Sequence, residues 1–114
     1  MYLVQKITST PYQKHTLILP DGTICEIILY FMPMQLSWFI QKLTYEGCIF
    51  NNIRITNLPN ILYQWKNLIP FGIGCFTEGG REPSLVGDFE SGVSKLYILS
   101  REEVEVFTEY IQND

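Results

Sequence analysis

The chain has 114 residues, a length that fits one domain with a single hydrophobic core. Hydrophobic residues make up 46% of it and charged residues 18%, a balance that excludes an intrinsically disordered protein. The net charge is −4, and the eight basic residues are scattered singly. Because phosphate binding depends on clustered basic charge, we expect no nucleic-acid partner.

No apolar stretch approaches the ~20 residues that a membrane-spanning helix requires. The run from Cys25 to Met34, for example, is interrupted by Glu26 and Pro33. The N-terminus also lacks the succession of basic, apolar and small residues that defines a signal peptide. We therefore expect no membrane partner, and we expect the protein to stay in the cytoplasm where it is made.

Aromatic residues are numerous for so small a chain, with seven Tyr, seven Phe and two Trp. Either part of this aromatic area meets a partner at the surface, or large residues fill a small β core. The three cysteines, Cys25, Cys48 and Cys75, are odd in number and widely spaced. This pattern fits neither a disulfide framework nor a zinc site, so we predict reduced, buried thiols.

The first half of the chain predicts strands separated by turns. Tyr2 to Ile7 is a short apolar run, ended by the cluster Ser9 to Pro11. A hairpin follows, in which Thr16 to Leu19 and Ile24 to Phe31 flank Pro20-Asp21-Gly22-Thr23. Its Asp-Gly pair tolerates the left-handed backbone that a tight turn requires.

A second hairpin is predicted from Leu36 to Tyr45 and from Ile49 to Thr56, joined by Glu46-Gly47-Cys48. Side chains of a regular strand alternate between its two faces. Ile49, Ile53 and Ile55 should therefore share one face of the second strand.

The segment from Asn57 to Pro70 predicts a single helical turn or an irregular crossing. Phe71 to Thr77 then predicts a strand, in which Gly72 and Gly74 indicate a bulge or a close backbone approach. The Gly-rich and Pro-containing stretch from Gly79 to Gly92 predicts a long exposed loop.

Val93 to Leu99 predicts the last strand. Ser100 and Glu103 form a capping box that begins a C-terminal helix, and this helix should lie on the sheet through the apolar stripe of Val104, Phe107 and Ile111. Together these elements predict one mainly β domain over residues 1–114. It should be a small twisted sheet, barrel or sandwich of about six or seven mostly antiparallel strands within residues 2–99, with one C-terminal α-helix at about 101–112.

Candidates for chemistry are few. His15 is the only histidine, and its position in a strand favours an ordinary structural residue over a catalytic base. Asp88 and Glu90 form an acidic pair in the Gly-rich stretch, where calcium binding is a minor alternative, although the spacing of an EF-hand loop is absent. We therefore predict no catalytic residue, no cofactor and no metal site, and a protein that is not an enzyme.

The order of short motifs along nearly all of the chain resembles the phage baseplate plug family. These motifs are Thr10-Pro11-Tyr12-Gln13, Leu17-Ile18-Leu19, Asp21-Gly22, Ser37-Trp38-Phe39, Glu46-Gly47, Asn52-Ile53-Arg54-Ile55, Ile61-Leu62-Tyr63-Gln64, Ile69-Pro70-Phe71-Gly72, Glu82-Pro83, Asp88-Phe89, Lys95-Leu96-Tyr97-Ile98-Leu99 and Glu102-Glu103-Val104. One stretch, Phe31-Met32-Pro33-Met34, differs from the polar strand end expected in that family.

The resemblance implies a structural component of a contractile phage tail, seated near the tube axis of the baseplate. Its partners would be other tail proteins, namely the baseplate hub, the tail tube or neighbouring baseplate subunits, with multiple copies in a symmetric assembly. The protein would be located in the virion after assembly in the host cytoplasm. Residues predicted to contact those partners are Tyr63, Trp65, Phe71, Phe76, Arg81 and Phe89.

Two other classes of function stay open on the residues alone. One is a small protein-binding or assembly-chaperone module without catalysis, which would be a stable monomer with one partner. The other is an enzyme that uses His15, Asp88 and Glu90.

Overall fold

The computed structural model describes residues 2–112, with side chains up to residue 106. The chain is mainly β, as predicted, and forms seven strands among these residues. The strands are β1 Tyr2–Leu3, β2 Tyr12–Ile18, β3 Ile24–Met32, β4 Ser37–Tyr45, β5 Cys48–Arg54, β6 Gly72–Thr77 and β7 Ser94–Leu99. The helices are α1 Asp88–Ser91 and α2 Arg101–Gln112, and short 3-10 turns occur at Tyr63–Trp65 and Glu78–Gly80.

The strands form two antiparallel sheets. The four-stranded sheet has the order β2-β3-β4-β5, and the three-stranded sheet has the order β1-β7-β6. Both sheets contribute to one buried cluster, in which Ile27 and Leu29 of the first sheet join Ile73 and Leu96 of the second. The single core expected for this length is therefore shared by the two sheets.

A bulge at Gln41 divides β4 into two parts. Even-numbered residues face the core before the bulge, and odd-numbered residues face it after the bulge. Pairing with β3 shifts by one residue at this point, so Gln41 has no partner in β3. Trp38 and Ile40 before the bulge are buried, and so are Leu43 and Tyr45 after it. Without the extra residue the second pair would face solvent, because strand side chains alternate with period two.

The same irregularity continues into β5. The prediction that Ile49, Ile53 and Ile55 share one face of this strand is therefore wrong. Asn52 has a positive φ of 55° and, like Gln41, is left out of the pairing between β4 and β5. Ile53 and Ile55 are buried, whereas Ile49 is 53% exposed. The three isoleucines therefore do not share a face, because the alternation is interrupted at Asn52.

The outer edge of β6 is covered by the segment 57–61. Leu58 accepts a hydrogen bond from the backbone N–H of Cys75, and Ile61 donates one to the carbonyl of Ile73. Gly74 lies so close to the Pro59 carbonyl that a Cβ at this position would overlap the oxygen. The close backbone approach predicted at Gly74 is therefore confirmed, and it lets an irregular segment protect this edge.

The predicted long exposed loop from Gly79 to Gly92 is wrong in part. Pro83 and Phe89 are buried within it, and the short helix α1 occupies its second half. Trp38 donates a hydrogen bond of 3.1 Å from its ring Nε1 to the carbonyl of Leu85, so this segment covers one end of the core. Glycine content indicated irregular backbone here, but an irregular backbone is not necessarily an exposed one.

The capping box at the start of α2 is confirmed. The N–H of Glu103 donates to the Ser100 hydroxyl at 3.2 Å, and the N–H of Ser100 donates to the Glu103 carboxylate at 3.1 Å. Val104 is buried, whereas the side chains of Phe107 and Ile111 lie outside the described residues. None of the described helices combines the length and the apolar character that crossing a membrane requires.

Candidate protein-interaction surface

Two of the six predicted contact residues belong to the core. Phe71 is 1% exposed, and its ring lies 5.0 Å from that of Tyr45. Phe89 is 7% exposed and contacts Trp38 edge to face at 5.6 Å. In this conformation both side chains stabilise the domain, so the prediction that they contact a partner is corrected.

Tyr63 and Trp65 lie in the 3-10 turn and are half-buried. The Trp65 ring packs on Phe50 of β5 at 5.1 Å, and the Lys66 ammonium lies 4.2 Å from the centre of the Tyr63 ring. Trp65 and Phe50 are partly buried side chains packed against the main core, so these contacts extend the core towards the surface.

Phe76 is 56% exposed and borders an apolar groove on the outer face of the three-stranded sheet. The groove has a volume of about 400 Å³, and its walls include Leu58, Pro59 and Tyr97. Gly74 also lines the groove, at the point where its missing side chain lets the Pro59 carbonyl approach the sheet.

Arg81 does not contribute a free cation to a partner. Its side chain is 41% exposed, but the guanidinium group forms two hydrogen bonds with the buried carboxylate of Asp88. This pairing raises the pKa of Arg81 and lowers that of Asp88, in both cases chiefly through the hydrogen bonds between the two side chains.

A row of aromatic side chains, one exposed and two half-buried, lies elsewhere, on the outer face of the four-stranded sheet. Tyr12, Tyr30 and Phe39 stand side by side on β2, β3 and β4, with Tyr12 and Tyr30 ring centres 6.2 Å apart. Ile28 lies beside the row on β3, flanked by Lys14 on β2. We call these four hydrophobic residues, Tyr12, Ile28, Tyr30 and Phe39, the aromatic face.

Sequence reasoning missed the aromatic face, although β3 carries a signal for it. Glu26 is the only charged residue between Ile24 and Met32, so the strand is apolar on both sides. An antiparallel strand with one solvated face normally alternates apolar and polar residues. The absence of this alternation in β3 is typical of a strand that is covered on both faces.

The charges around the aromatic face are mostly basic. Lys14, Lys42 and Arg54 are exposed on this side, and Glu26 provides one acid that lies 3.5 Å from Lys14. Arg54 lies 3.4 Å from Glu82. A partner surface that combines apolar area with acidic side chains would complement this arrangement.

The groups considered for chemistry have structural partners. His15 Nε2 lies 2.6 Å from the amide oxygen of Gln13, and burial lowers the pKa of this histidine. Glu90 accepts a hydrogen bond of 2.7 Å from the N–H of Ser9, far from it in the sequence. Within the described residues no three His, Cys, Asp or Glu side chains lie close enough to hold a metal ion.

The cysteines differ in environment. Cys25 and Cys75 are buried, and burial is the main cause that raises the pKa of Cys25 to about 12 and that of Cys75 to about 11. Cys48 is exposed at the start of β5, so the prediction of a buried thiol is wrong there. Cys48 follows the turn at Glu46-Gly47, where the hairpin extends into solvent.

Comparison with models of protein families and with curated proteins finds no match for this chain.

Proposed function

We propose that the protein is a structural component of a phage tail baseplate, seated near the central hub and tube, and that it acts through contacts with other tail proteins. The proposal begins from the ordered resemblance to the baseplate plug family. The observation that supports it most is the aromatic face, which presents Tyr12, Tyr30 and Phe39 on a solvent-facing sheet surface.

An aromatic row on the outside of a sheet needs a physical explanation. Tyr12 is exposed and Ile28, Tyr30 and Phe39 are half-buried, so the four form a continuous apolar area at the surface, and such areas mark sites that another protein covers. Aromatic residues also supply much of the binding energy in protein interfaces, because they bury a large area at a small cost in conformational entropy. A subunit built into a larger particle has this requirement, since its exposed apolar area is covered only after assembly.

Locating the protein in particles tests the proposal directly. Tail particles purified from phage that carry a tag on Asp114 would be imaged, and tag density is expected at the baseplate near the tube axis. A protein detected in infected cells but missing from finished particles would contradict this proposal and favour the assembly-chaperone alternative.

The aromatic face can be tested by substitution. Tyr30→Thr and Phe39→Thr both introduce a β-branched residue suited to a strand, while removing aromatic area from the outer face. Incorporation into particles is expected to fall in both variants, with little change in the thermal midpoint of the isolated protein. Leu68→Ser provides the matched control, since Leu68 is 68% exposed and lies outside both sheets. Normal incorporation of both Thr variants would reject this role for the face.

A further inference from the structure

The outer edge of β2 has unpaired backbone groups along its whole length. All seven residues from Tyr12 to Ile18 pair with β3 in one uninterrupted register. At the two ends, Phe31 donates to the carbonyl of Pro11 and Leu19 donates to that of Thr23. These bonds establish that residues 11, 13, 15, 17 and 19 bond to β3.

The remaining residues of the strand, Tyr12, Lys14, Thr16 and Ile18, therefore direct their N–H and C=O groups away from β3. No backbone or side-chain group among the described residues forms a hydrogen bond with these main-chain groups. All four side chains are exposed as well. The edge thus offers four donors and four acceptors in a regular strand.

The other sheet edges in the described part of the chain lack this property. The segment 57–61 covers β6, and β1 consists only of Tyr2 and Leu3. The backbone of β5 is interrupted at Asn52, where the positive φ breaks the regular alternation of donors and acceptors. Short strands, covering segments and bulges are devices that prevent edge pairing, and β2 has none of these three, while Lys14 is the one charged residue along it.

We propose that β2 pairs with β2 of a second copy of this chain, antiparallel about a two-fold axis at His15, and joins two four-stranded sheets into one sheet of eight strands. This pairing rests on the geometry of β2 and is independent of the proposed function. It is an interface of the isologous type, in which the same surface is used on both subunits.

In the register centred on His15, every N–H and C=O group that β2 directs away from β3 forms a hydrogen bond with the second copy. Tyr12 faces Ile18 of the second copy, and Lys14 faces Thr16. Each of these opposed pairs exchanges two hydrogen bonds, so the four pairs along the interface form eight. Shifting one β2 strand by two residues relative to the other, in either direction, leaves only three opposed pairs. The shifted register that is centred on Lys14 also places the two lysine ammonium groups opposite each other.

The side chains that this register places opposite each other are compatible. Tyr12 opposite Ile18 is an aromatic and β-branched pair of the kind that stabilises neighbouring strands. Lys14 meets a neutral threonine, and its own carboxylate partner is Glu26 on β3. On the inner face the two His15 rings meet at the axis. Burial lowers the pKa of His15, which favours the uncharged form of the ring and so limits repulsion between the two rings.

The pairing also extends the aromatic face. Ile18 of the second copy would lie beside Tyr12, which stands beside Tyr30 and Phe39. One apolar strip would then cross the boundary between the two copies. A partner bound to the strip would contact both subunits.

Thr16 provides the test, because its N–H points away from β3. Thr16→Pro removes this donor and obstructs the edge, yet leaves all hydrogen bonds between β2 and β3 intact. Thr16→Val, with a similar shape and a retained N–H, is the matched control. Mass would be measured by sedimentation over a range of protein concentrations up to millimolar.

The natural chain and Thr16→Val are expected to rise from 13.3 kDa towards twice that mass with concentration. In Thr16→Pro the dissociation constant should increase roughly tenfold or more, since two of the eight hydrogen bonds are lost. Hydrogen exchange at the amides of Lys14, Thr16 and Ile18 should slow as the dimer forms.

Thr16→Lys distinguishes a damaged fold from a damaged interface. Within one subunit position 16 is paired with Glu26, so the lysine favours the monomer fold, whereas across the axis it faces Lys14 and disfavours the dimer. Dissociation without loss of thermal stability is the expected result. A natural chain that stays monomeric, equal dimerisation of the Pro and Val variants, or protection of this edge only by a different protein would overturn the inference.

Discussion

Arg81 and Asp88 are joined by two parallel hydrogen bonds, each 2.9 Å long, from the two guanidinium Nη atoms to the two carboxylate oxygens. The Asp88 side chain is only 4% exposed, and it also accepts the backbone N–H groups of Ser84 and Leu85. These bonds close the segment before α1. Because Trp38 bonds to the Leu85 carbonyl, they also hold this segment over the core.

Replacing Asp88 should loosen the whole segment. Asp88→Ala removes the acceptor of four hydrogen bonds, including two from the backbone, and is expected to lower the free energy of unfolding by roughly 2–3 kcal/mol. Chemical denaturation would measure this loss. Hydrogen exchange of the Ser84 and Leu85 amides should accelerate in the variant. Glu105→Ala, which removes an exposed carboxylate on α2, should leave both measurements nearly unchanged. Equal effects from the two substitutions would contradict the structural role of Asp88.

The same pair makes stability depend on pH. Hydrogen bonding to Arg81 is the main cause that holds the pKa of Asp88 below its ordinary value, with the Leu85 and Ser84 N–H groups acting in the same direction and burial opposing them. Because the pKa is lowered on folding, this stabilisation is fully present above the unfolded value of about 3.9 and is lost as the pH falls through the folded value. Denaturation of the natural chain and of Asp88→Asn should therefore differ most near pH 7 and progressively less below about pH 4. A constant difference down to pH 2 would reject this assignment.

The two glycines Gly74 and Gly87 should respond differently to alanine. A Cβ at Gly74 overlaps the Pro59 carbonyl, whereas a Cβ at Gly87 has Ser9 Oγ as its nearest neighbour at 3.7 Å. Gly74→Ala should therefore cost about 1–3 kcal/mol of unfolding free energy, because segment 57–61 must move away from β6. Gly87→Ala should stay within about 0.5 kcal/mol of the natural chain. Thermal and denaturant unfolding would measure both, and a tolerated alanine at Gly74 would show that the covering segment is not closely packed.

Thiol labelling should find one reactive cysteine per folded chain. The thiolate is the reactive species, and burial raises the pKa of Cys25 to about 12 and that of Cys75 to about 11. Cys48 is exposed and should react first with a disulfide reagent near pH 8. Cys48→Ser should remove the fast reaction, and the two remaining thiols should react only on unfolding. Rapid labelling of Cys75 in the folded Cys48→Ser chain would contradict the buried position.

Local chemistry explains which features were predictable. The Asp21-Gly22 turn and the capping box of Ser100 and Glu103 depend on residues within a few positions of each other, and both occur where the sequence predicted them. The boundary of the first strand was less predictable. β1 ends at Leu3 and not at Ile7, and Lys6 has a φ of 66° that an extended strand does not permit.

The candidate surface was predictable only in part, because exposure depends on which strand face the rest of the chain covers. Phe71 and Phe76 are both aromatic, and alternation places residues five apart on opposite faces, but the sequence does not say which of the two faces is covered. Phe71 packs against Tyr45 from the other sheet, whereas Phe76 has no such cover and remains 56% exposed. The aromatic face required strand pairing to be recognised, since Tyr12, Tyr30 and Phe39 are far apart in sequence and become neighbours only across three strands.

The amino-acid sequence by itself determined the class of fold, the turns and the start of the last helix, because alternation, turn residues and caps act over a few positions. The tertiary structure alone decided that the bulge at Gln41 changes which residues of β4 face the core. It also decided that Arg81 and Asp88 meet, and that β2 is left as a regular open edge. Each of these depends on contacts between distant segments, and such contacts are selected by the packing of the whole chain.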